Sequence, residues 1–391
     1  MNINELIKLS AEQNYDSLVK KLESLDQTFK KQAGQIFTAI QNQDMETHQL
    51  IFLYCLQYMD VKTTFNIFDR FLKSLTNGKQ ICHKIDKLYK VADEYKKFMI
   101  ENNLAIKAIK AFEFACRSLE KEKIGLTRMH SMFVELCLRA KMYKSALRII
   151  EKPLIHLEVR SKIDEGDFYN YKYYCGCIYL GLKRYREAQD CFELVVQLHQ
   201  KDLYQVTIDT CKKLFFLGIR SGETQLLKSI SQMDVVSNKL INVVLDVYKQ
   251  SEKNLESFDQ FVLINEKELQ KEGNLGLAKQ LRICFIIKEI RKLMRVYTRF
   301  RIEKLDKEIK VNFKEIADLQ GEINKVERLF KINRKLNCIE FNQGQDIDHR
   351  EEVLVPLKNL FELLKSVKQE YEAENEKMII DRIQQPDVIV A

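Results

Sequence analysis

Glycine and proline are scarce in this chain, and the scarcity limits its fold more than any other feature of the sequence. Only 3 prolines and 12 glycines occur in 391 residues. All-β and α/β folds need frequent turn residues, whereas long helices with short connections need few. The apolar fraction of 46% and the charged fraction of 31% suit a soluble protein that is rich in helix. We therefore predict an all-α architecture with two or three structural units.

The segment KYYCGCIYLGLKRYREAQDCFELVV, residues 172–196, has the pattern of one helical repeat. Its small residues leave space for two helix backbones to approach closely. Its aromatic residues fill the groove around that contact. The short connection Leu-Lys-Arg makes the two helices antiparallel neighbours. This arrangement is typical of a tetratricopeptide (TPR) helix pair. We assign repeat packing to Gly176, Tyr179, Tyr185, Ala188 and Phe192.

Weaker copies of this pattern occur on both sides. Tyr143 repeats the position of Tyr185 in the segment before it, and Ala105 begins another copy earlier still. Thr224 begins a further copy after the clear repeat. The steps between copies vary around forty, which indicates irregular helical repeats, each of which buries its apolar face on its neighbours. We predict a TPR-like solenoid over residues 1–275.

A module with a different pattern follows at residues 276–345. A helix is predicted at about 277–297, and two short helices at 302–323. The strings RLFKI and CIEF alternate apolar and polar residues on either side of a polar turn, which predicts a β-hairpin. Helix, helix, helix, hairpin is the order of elements in a winged helix.

The predicted hairpin is basic, with cations at Arg328, Lys331, Arg334 and Lys335. Residues 276–345 carry 17 Lys and Arg against 9 Asp and Glu. The net charge of this module is therefore equal to the net charge of the whole chain, +8. A basic module fits nucleic acid or an acidic protein surface. However, the helix that a winged helix places in a DNA groove reads FKEIADLQGE, and its three carboxylates would repel phosphate. We predict protein–protein pairing through the wing, with nucleic acid binding as the alternative.

Residues 346–391 are predicted to form a long assembly helix from about Pro356 to Ile383 and a short tail. Apolar residues at alternating steps of three and four make a heptad seam. At ~1.5 Å per residue the helix is about 42 Å long. The chain has too little surface of its own to cover this seam, so we predict that it binds partner helices. The seam residues are Leu357, Leu360, Leu364, Val367, Tyr371 and Met378.

The sequence lacks the recognisable patterns of catalytic, metal and nucleotide sites. It has six widely spaced histidines, and it contains no His-x-His, His-Glu-x-x-His, Cys-x-x-Cys or phosphate-binding glycine loop. The serine in Gly218-Ile-Arg-Ser221-Gly222 is one position away from a hydrolase motif, and we interpret this segment as a turn between helices. We predict no enzyme activity, no metal and no cofactor.

The 10 cysteines are scattered through apolar helical patterns, as in an intracellular protein with reduced thiols. The N-terminal residues have no signal-peptide pattern, and no stretch approaches the ~20 apolar residues of a membrane span. We expect the protein in the cytoplasm and nucleus, without a membrane partner.

Four strings in collinear order resemble PCI-domain proteins, the subunits that build the proteasome lid, the COP-nine signalosome and an initiation-factor scaffold. They are HSMFVELCLRAKMYKSAL (130–147), YYCGCIYLGLKRYREAQDCFE (173–193), NLGLAKQ (274–280) and FKINRKLNCIEF (330–341). Within that group the chain is most similar, over about residues 100–345, to the third-subunit family of the COP-nine signalosome. One departure is Leu336-Asn337, where the family tends to have an acidic residue and glycine. Asparagine still tolerates the φ > 0 of a tight turn.

The resemblance implies an all-α solenoid of TPR-like repeats, then a winged-helix (PCI) module with a small β-hairpin, then a long C-terminal helix. It implies a non-catalytic scaffold in a complex that removes Nedd8 from cullin-RING ubiquitin ligases. The implied partners are other PCI subunits and a zinc-hydrolase subunit, with the cullin ligases contacted indirectly. Two alternatives are a PCI scaffold subunit of the proteasome lid and a nucleic-acid-binding PCI subunit of a translation-initiation or mRNA-export complex.

Overall fold

The computed structural model describes residues 3–76, 78–122, 125–152, 164–198, 204–221, 255–304, 330–333 and 337–341. The chain divides into two compact units, residues 1–285 and 286–391. In the described ranges the first unit is helical, and the second contains the end of a helix and a small sheet.

The first unit is a succession of helices, many of which are connected by short turns. This arrangement confirms the prediction of a mostly helical chain with helical repeats. In chain order the helices are α1 Ile3–Ala11, α2 Tyr15–Ser24, α3 Asp26–Ile40, α4 Gln49–Leu56, α5 Val61–Lys73, α6 Lys79–Cys82, α7 Ile85–Glu101, α8 Ala105–Lys121, α9 Arg128–Arg139, α10 Tyr143–Ile150, α11 Glu165–Gly181, α12 Tyr185–Gln197, α13 Tyr204–Ser221, α14 Leu255–Ile264, α15 Glu266–Lys271 and α16 Leu275–Val296, which continues past residue 285.

One type of turn recurs between these helices. Asn103, Lys141, Lys183 and Gly273 all have positive φ, of 57°, 56°, 61° and 68°. In each turn the next residue donates its backbone N–H to the carbonyl five positions earlier, over 2.7–2.9 Å. This is the Schellman motif, which satisfies the last carbonyls of a helix and redirects the chain. The turns at Asn103, Lys141 and Lys183 each directly precede the first residue of a predicted repeat copy. The spacing between these turns is therefore the spacing that the repeat pattern predicted.

The first unit has a contiguous apolar core from Leu6 to Ile178. All eight residues of α4 are buried within it, as expected of a helix that is largely apolar on every side. The rings of Phe68, Tyr95 and Phe112 stack in series, with centroids 6.0 and 6.1 Å apart. A second cluster of buried side chains joins α11, α12 and α13 to α14–α16. The helices are therefore held by side-chain packing along the whole described succession.

The described part of the second unit contains a three-stranded antiparallel sheet. Its strands are β1 (Arg299–Arg301), β2 (Phe330–Asn333) and β3 (Cys338–Phe341), in the order β1-β3-β2. Strands β2 and β3 occupy the segments that were predicted as hairpin strands. Strand β1 was not predicted, because three residues carry too little periodicity. It forms where Phe300, buried between two exposed arginines, lies opposite Ile339 of β3.

Two predictions about helix bounds require correction. Residues Gly218–Ser221 belong to α13, because the buried apolar run before them continues the helix, so the interpretation as a connecting turn is wrong. Helix α16 begins at Leu275, slightly before the predicted start, and Gly273 provides the positive φ of the preceding turn. The copy at Thr224, most of the short helices at 302–323 and the C-terminal helix lie outside the described residues.

Candidate assembly site

The repeat that the sequence predicts most clearly is formed by α11 and α12. Gly176 of α11 faces the ring of Phe192 in α12, and a Cβ at position 176 would lie 2.7 Å from Cζ and 2.8 Å from Cδ1 of that ring. Phe192 and Ala188 are fully buried, and Tyr179 is 8% exposed. The sequence suggested that Gly176 and Ala188 together allow the close approach. The three nearest atoms to position 176 all belong to Phe192, so the glycine makes room for an aromatic ring of α12.

Tyr185, at the start of α12, links three helices. Its hydroxyl donates a hydrogen bond to Oε1 of Gln280 in α16, over 2.8 Å. The guanidinium of Arg220 in α13 lies over its ring, 3.6 Å from the centroid. Gln280 ends the string NLGLAKQ, so this contact gives that string a structural role. This hydrogen bond connects the repeat to a helix residue that is 95 positions away in sequence.

A buried ion pair lies in the same region of the first unit. The side chain of Lys212 in α13 is 1% exposed, and its Nζ is 2.8 Å from Oε1 of Glu272 and 3.9 Å from Oδ1 of Asp209. Glu272 follows α15, and its side chain is 10% exposed. An unpaired charge at such depth costs several kcal/mol, so the two residues depend on each other.

Lys213, the residue after Lys212, is held by Asn274 in the turn before α16. Nζ of Lys213 donates to Oδ1 of Asn274 over 2.8 Å, and both residues are buried. Nδ2 of Asn274 donates to Oε2 of Glu272 over 3.4 Å. We call Lys212, Lys213, Glu272 and Asn274 the α13 polar cluster. The sequence prediction missed this cluster, although two adjacent lysines in the otherwise apolar run TCKKLFFLG were a signal.

The small sheet contains one of the four predicted wing residues. Lys331 is exposed on β2 and lies opposite Glu340 of β3. Glu340 also accepts a hydrogen bond from Nδ2 of Asn333 over 3.1 Å and lies 3.4 Å from Nε of Arg299. Asn337 has a φ of 47°, the geometry expected of this turn residue. In the described part of the sheet, Glu340 therefore forms an ion pair with Arg299 and lies in register with Lys331.

The other predicted partner-binding residues lie outside the described ranges, and their roles remain predictions. From the wing these are Arg328, Arg334 and Lys335. From the C-terminal helix they are Leu357, Leu360, Leu364, Val367, Tyr371 and Met378.

The described residues contain no group of three or more side chains that could hold a metal ion. The nine cysteines whose side chains the structure describes are free thiols. Burial raises the pKa of Cys55 and of Cys211 to about 12, so these thiols stay protonated and inert at neutral pH. Among the described helices, none combines the length and apolar character that crossing a membrane requires.

The most perturbed carboxyl among the described residues belongs to Asp167, in the first turn of α11. Burial raises its pKa to about 6, and Arg128, whose Nε is 3.5 Å away, works in the opposite direction. A cleft of about 260 Å³ lies elsewhere, between α14 and α16, and its charged rim residues are paired with each other: Arg282 with Asp259, and Lys279 with Glu266. The perturbed acid and the cleft do not meet, so they form no catalytic arrangement.

Stacked antiparallel helices with repeated Schellman turns define this chain as an α-helical repeat protein, and its aromatic junctions and polar cluster connect successive repeats. Residues 12–236, more than half of the chain, match the family described as "COP9 signalosome complex subunit 3, N-terminal helical repeats". The chain belongs to this family.

Two relatives carry the same name. The chain is 22% identical over 299 residues to the COP9 signalosome complex subunit 3 of Arabidopsis thaliana. The aligned region covers 73% of this chain and 68% of the relative. It is 25% identical over 224 residues to the COP9 signalosome complex subunit 3 of Dictyostelium discoideum, covering 55% of this chain and 53% of the relative. The match thus spans about two thirds of the plant protein and about half of the Dictyostelium protein.

Proposed function

We propose that this chain is a non-catalytic scaffold subunit of a COP9 signalosome. The match of residues 12–236 to the subunit 3 family carries this proposal, and two relatives named as that subunit support it. The same match favours the signalosome over the proteasome lid and over translation-initiation or mRNA-export complexes. In the signalosome the chain supports removal of Nedd8 from cullin-RING ubiquitin ligases, which is the activity of the complex.

The absence of catalysis in this subunit is part of the proposal. Its support is chemical: the sequence lacks the metal and nucleophile patterns, and the perturbed carboxyl of Asp167 lies apart from the cleft of the first unit. The hydrolytic step then belongs to a zinc-hydrolase subunit, which we propose as a partner together with other PCI subunits. We further propose that the chain works in the cytoplasm and nucleus.

We also propose the three-part organisation of solenoid 1–275, winged-helix part of a PCI domain 276–345, and assembly segment 346–391. The order β1-β3-β2 supports the second part. In a winged helix the first strand lies early in the module and pairs with the second strand of the hairpin, as β1 pairs with β3. Pairing of winged helices edge to edge is the use of this module that we propose.

The C-terminal helix provides the test of scaffolding. Changing Leu360 and Leu364 together to glutamate is expected to reduce the amount of co-purifying subunits by about tenfold, because two apolar seam positions would each carry a charge into a helix interface. The measurement is quantitative mass spectrometry of complexes purified through the tagged chain.

The matched control places the same change of net charge on the other side of the predicted helix. Lys358→Gln with Lys365→Gln should leave the co-purifying subunits unchanged, and circular dichroism should show that both variants keep their helical content. Equal recovery of subunits from the leucine variant and the control would contradict assembly through the seam.

A further inference from the structure

The outer face of α8 exposes two large apolar side chains. Ile106 is 56% exposed and Phe114 is 52% exposed. With Lys110 between them they follow each other at steps of four residues, so the three side chains form one stripe about 12 Å long at ~1.5 Å per residue. Single apolar side chains are common on surfaces, whereas two on one stripe form a patch suited to a binding partner.

The rest of this face is basic. Lys107, Lys110 and Lys121 are exposed, and within the described part of the chain they make no ion pair. The carboxylate of Glu113, at the edge of the face, is already engaged, since it lies 2.6 Å from Arg117 and 3.6 Å from Arg148. Positive charge beside the apolar stripe is therefore left without a partner of opposite sign among the described residues.

Helix α10 continues the basic surface. Arg148 of α10, 65% exposed in its side chain, reaches Glu113 of α8, and Lys152 pairs with Glu120 of α8. These two ion pairs connect α8 to α10 and to the residue shortly after its C-terminal end. Lys144 is exposed one helical turn before Arg148, so it lies on the same side of α10.

We propose that the α8–α10 surface, defined by Ile106, Lys107, Lys110, Phe114 and Lys144, binds an acidic amphipathic helix of a partner subunit. The apolar residues of that helix, two turns apart, cover Ile106 and Phe114, and the carboxylates beside them meet the lysines. Burial of the apolar side chains supplies affinity, and the charges supply specificity and orientation. Nucleic acid is the poorer match, because phosphates use the lysines alone and Ile106 offers no plane for base stacking.

A photo-cross-linker at position 114 tests this surface in the intact complex. The full-length chain carries p-benzoylphenylalanine in place of Phe114, is purified with its partners and is irradiated, and the cross-linked peptides are identified by mass spectrometry. The expected product joins position 114 to a segment of another subunit that is net negative and has apolar residues at helical spacing. The experiment rests on the proposed function. Failure of subunits to co-purify contradicts that function, whereas an intact complex without a cross-link contradicts the surface alone.

Charge reversal gives the second arm. Lys107→Glu, Lys110→Glu and Lys144→Glu together are expected to lower the cross-link yield about tenfold, because the carboxylates of the partner would be repelled. The control reverses three exposed lysines on other helices, Lys20, Lys31 and Lys62, and should leave the yield unchanged. A cross-link to a neutral or basic segment, a cross-link to nucleic acid, or a yield that charge reversal does not change would each overturn the proposal.

Discussion

Changing Glu272 to leucine is expected to lower the free energy of unfolding by about 3–5 kcal/mol, the usual cost of removing one partner from a buried ion pair. The reason is the depth of Lys212, whose side chain is 1% exposed and whose Nζ lies 2.8 Å from Glu272. Without Glu272, the ion-pair partner that remains for the ammonium group among the described residues is Asp209, at 3.9 Å. Urea unfolding of the full-length chain, followed by circular dichroism, measures the change.

Two variants control this experiment. Lys212→Met combined with Glu272→Leu should recover much of the lost stability, because an apolar pair of similar volume replaces a buried ion pair at little cost. Glu266→Leu breaks the ion pair between Glu266 and Lys279, whose side chains are 46% and 60% exposed respectively. This change should lower the free energy of unfolding by less than about 1 kcal/mol. If Glu272→Leu costs no more than Glu266→Leu, the α13 polar cluster does not hold the helices together as described.

Replacing Gly176 by leucine is expected to lower the free energy of unfolding by about 3 kcal/mol, the upper end of the usual cost of overpacking. Even a Cβ at this position would lie 2.7 and 2.8 Å from two carbons of the Phe192 ring. That ring is fully buried, so it cannot move aside without disturbing the packing between α11 and α12. Thermal or urea unfolding detects the loss.

Gly34 in α3 provides the matched control, because a Cβ added there meets nothing within 4 Å. Gly34→Ala should keep or raise the stability, by up to about 1 kcal/mol, since alanine is the better helix former. Gly176→Ala should lower it despite the same gain in helix propensity. Equal effects of the two alanine substitutions would show that Gly176 is not needed for the close approach.

The helical repeat could be predicted because it depends on local spacing. Small and aromatic residues that recur at helical intervals indicate which faces touch, and Ala188 and Phe192 are buried as that spacing predicts. The sequence indicates the turns between the helices less clearly. Lys141 and Lys183 adopt φ of 56° and 61°, a conformation that lysine does not signal. The place of Lys183 followed from the short connection Leu-Lys-Arg, and that of Lys141 from the step between repeats.

The polar cluster and strand β1 could not be predicted in the same way. Lys212 and Glu272 are far apart in the sequence, and no local pattern indicates that they pair across α13 and the turn before α16. Strand β1 has three residues and exists because β3 provides an edge for Arg299–Arg301. Both features arise from tertiary contacts, which override the local preference of short segments.

The central claim is that this chain works as a scaffold subunit of a COP9 signalosome. Affinity purification of the tagged full-length chain under native conditions, with quantitative identification of the co-purifying proteins, tests it most directly. The expected result is a stoichiometric set of signalosome subunits that includes a zinc hydrolase, with cullins in lower amount. Recovery of proteasome subunits or translation-initiation factors in their place would contradict the claim.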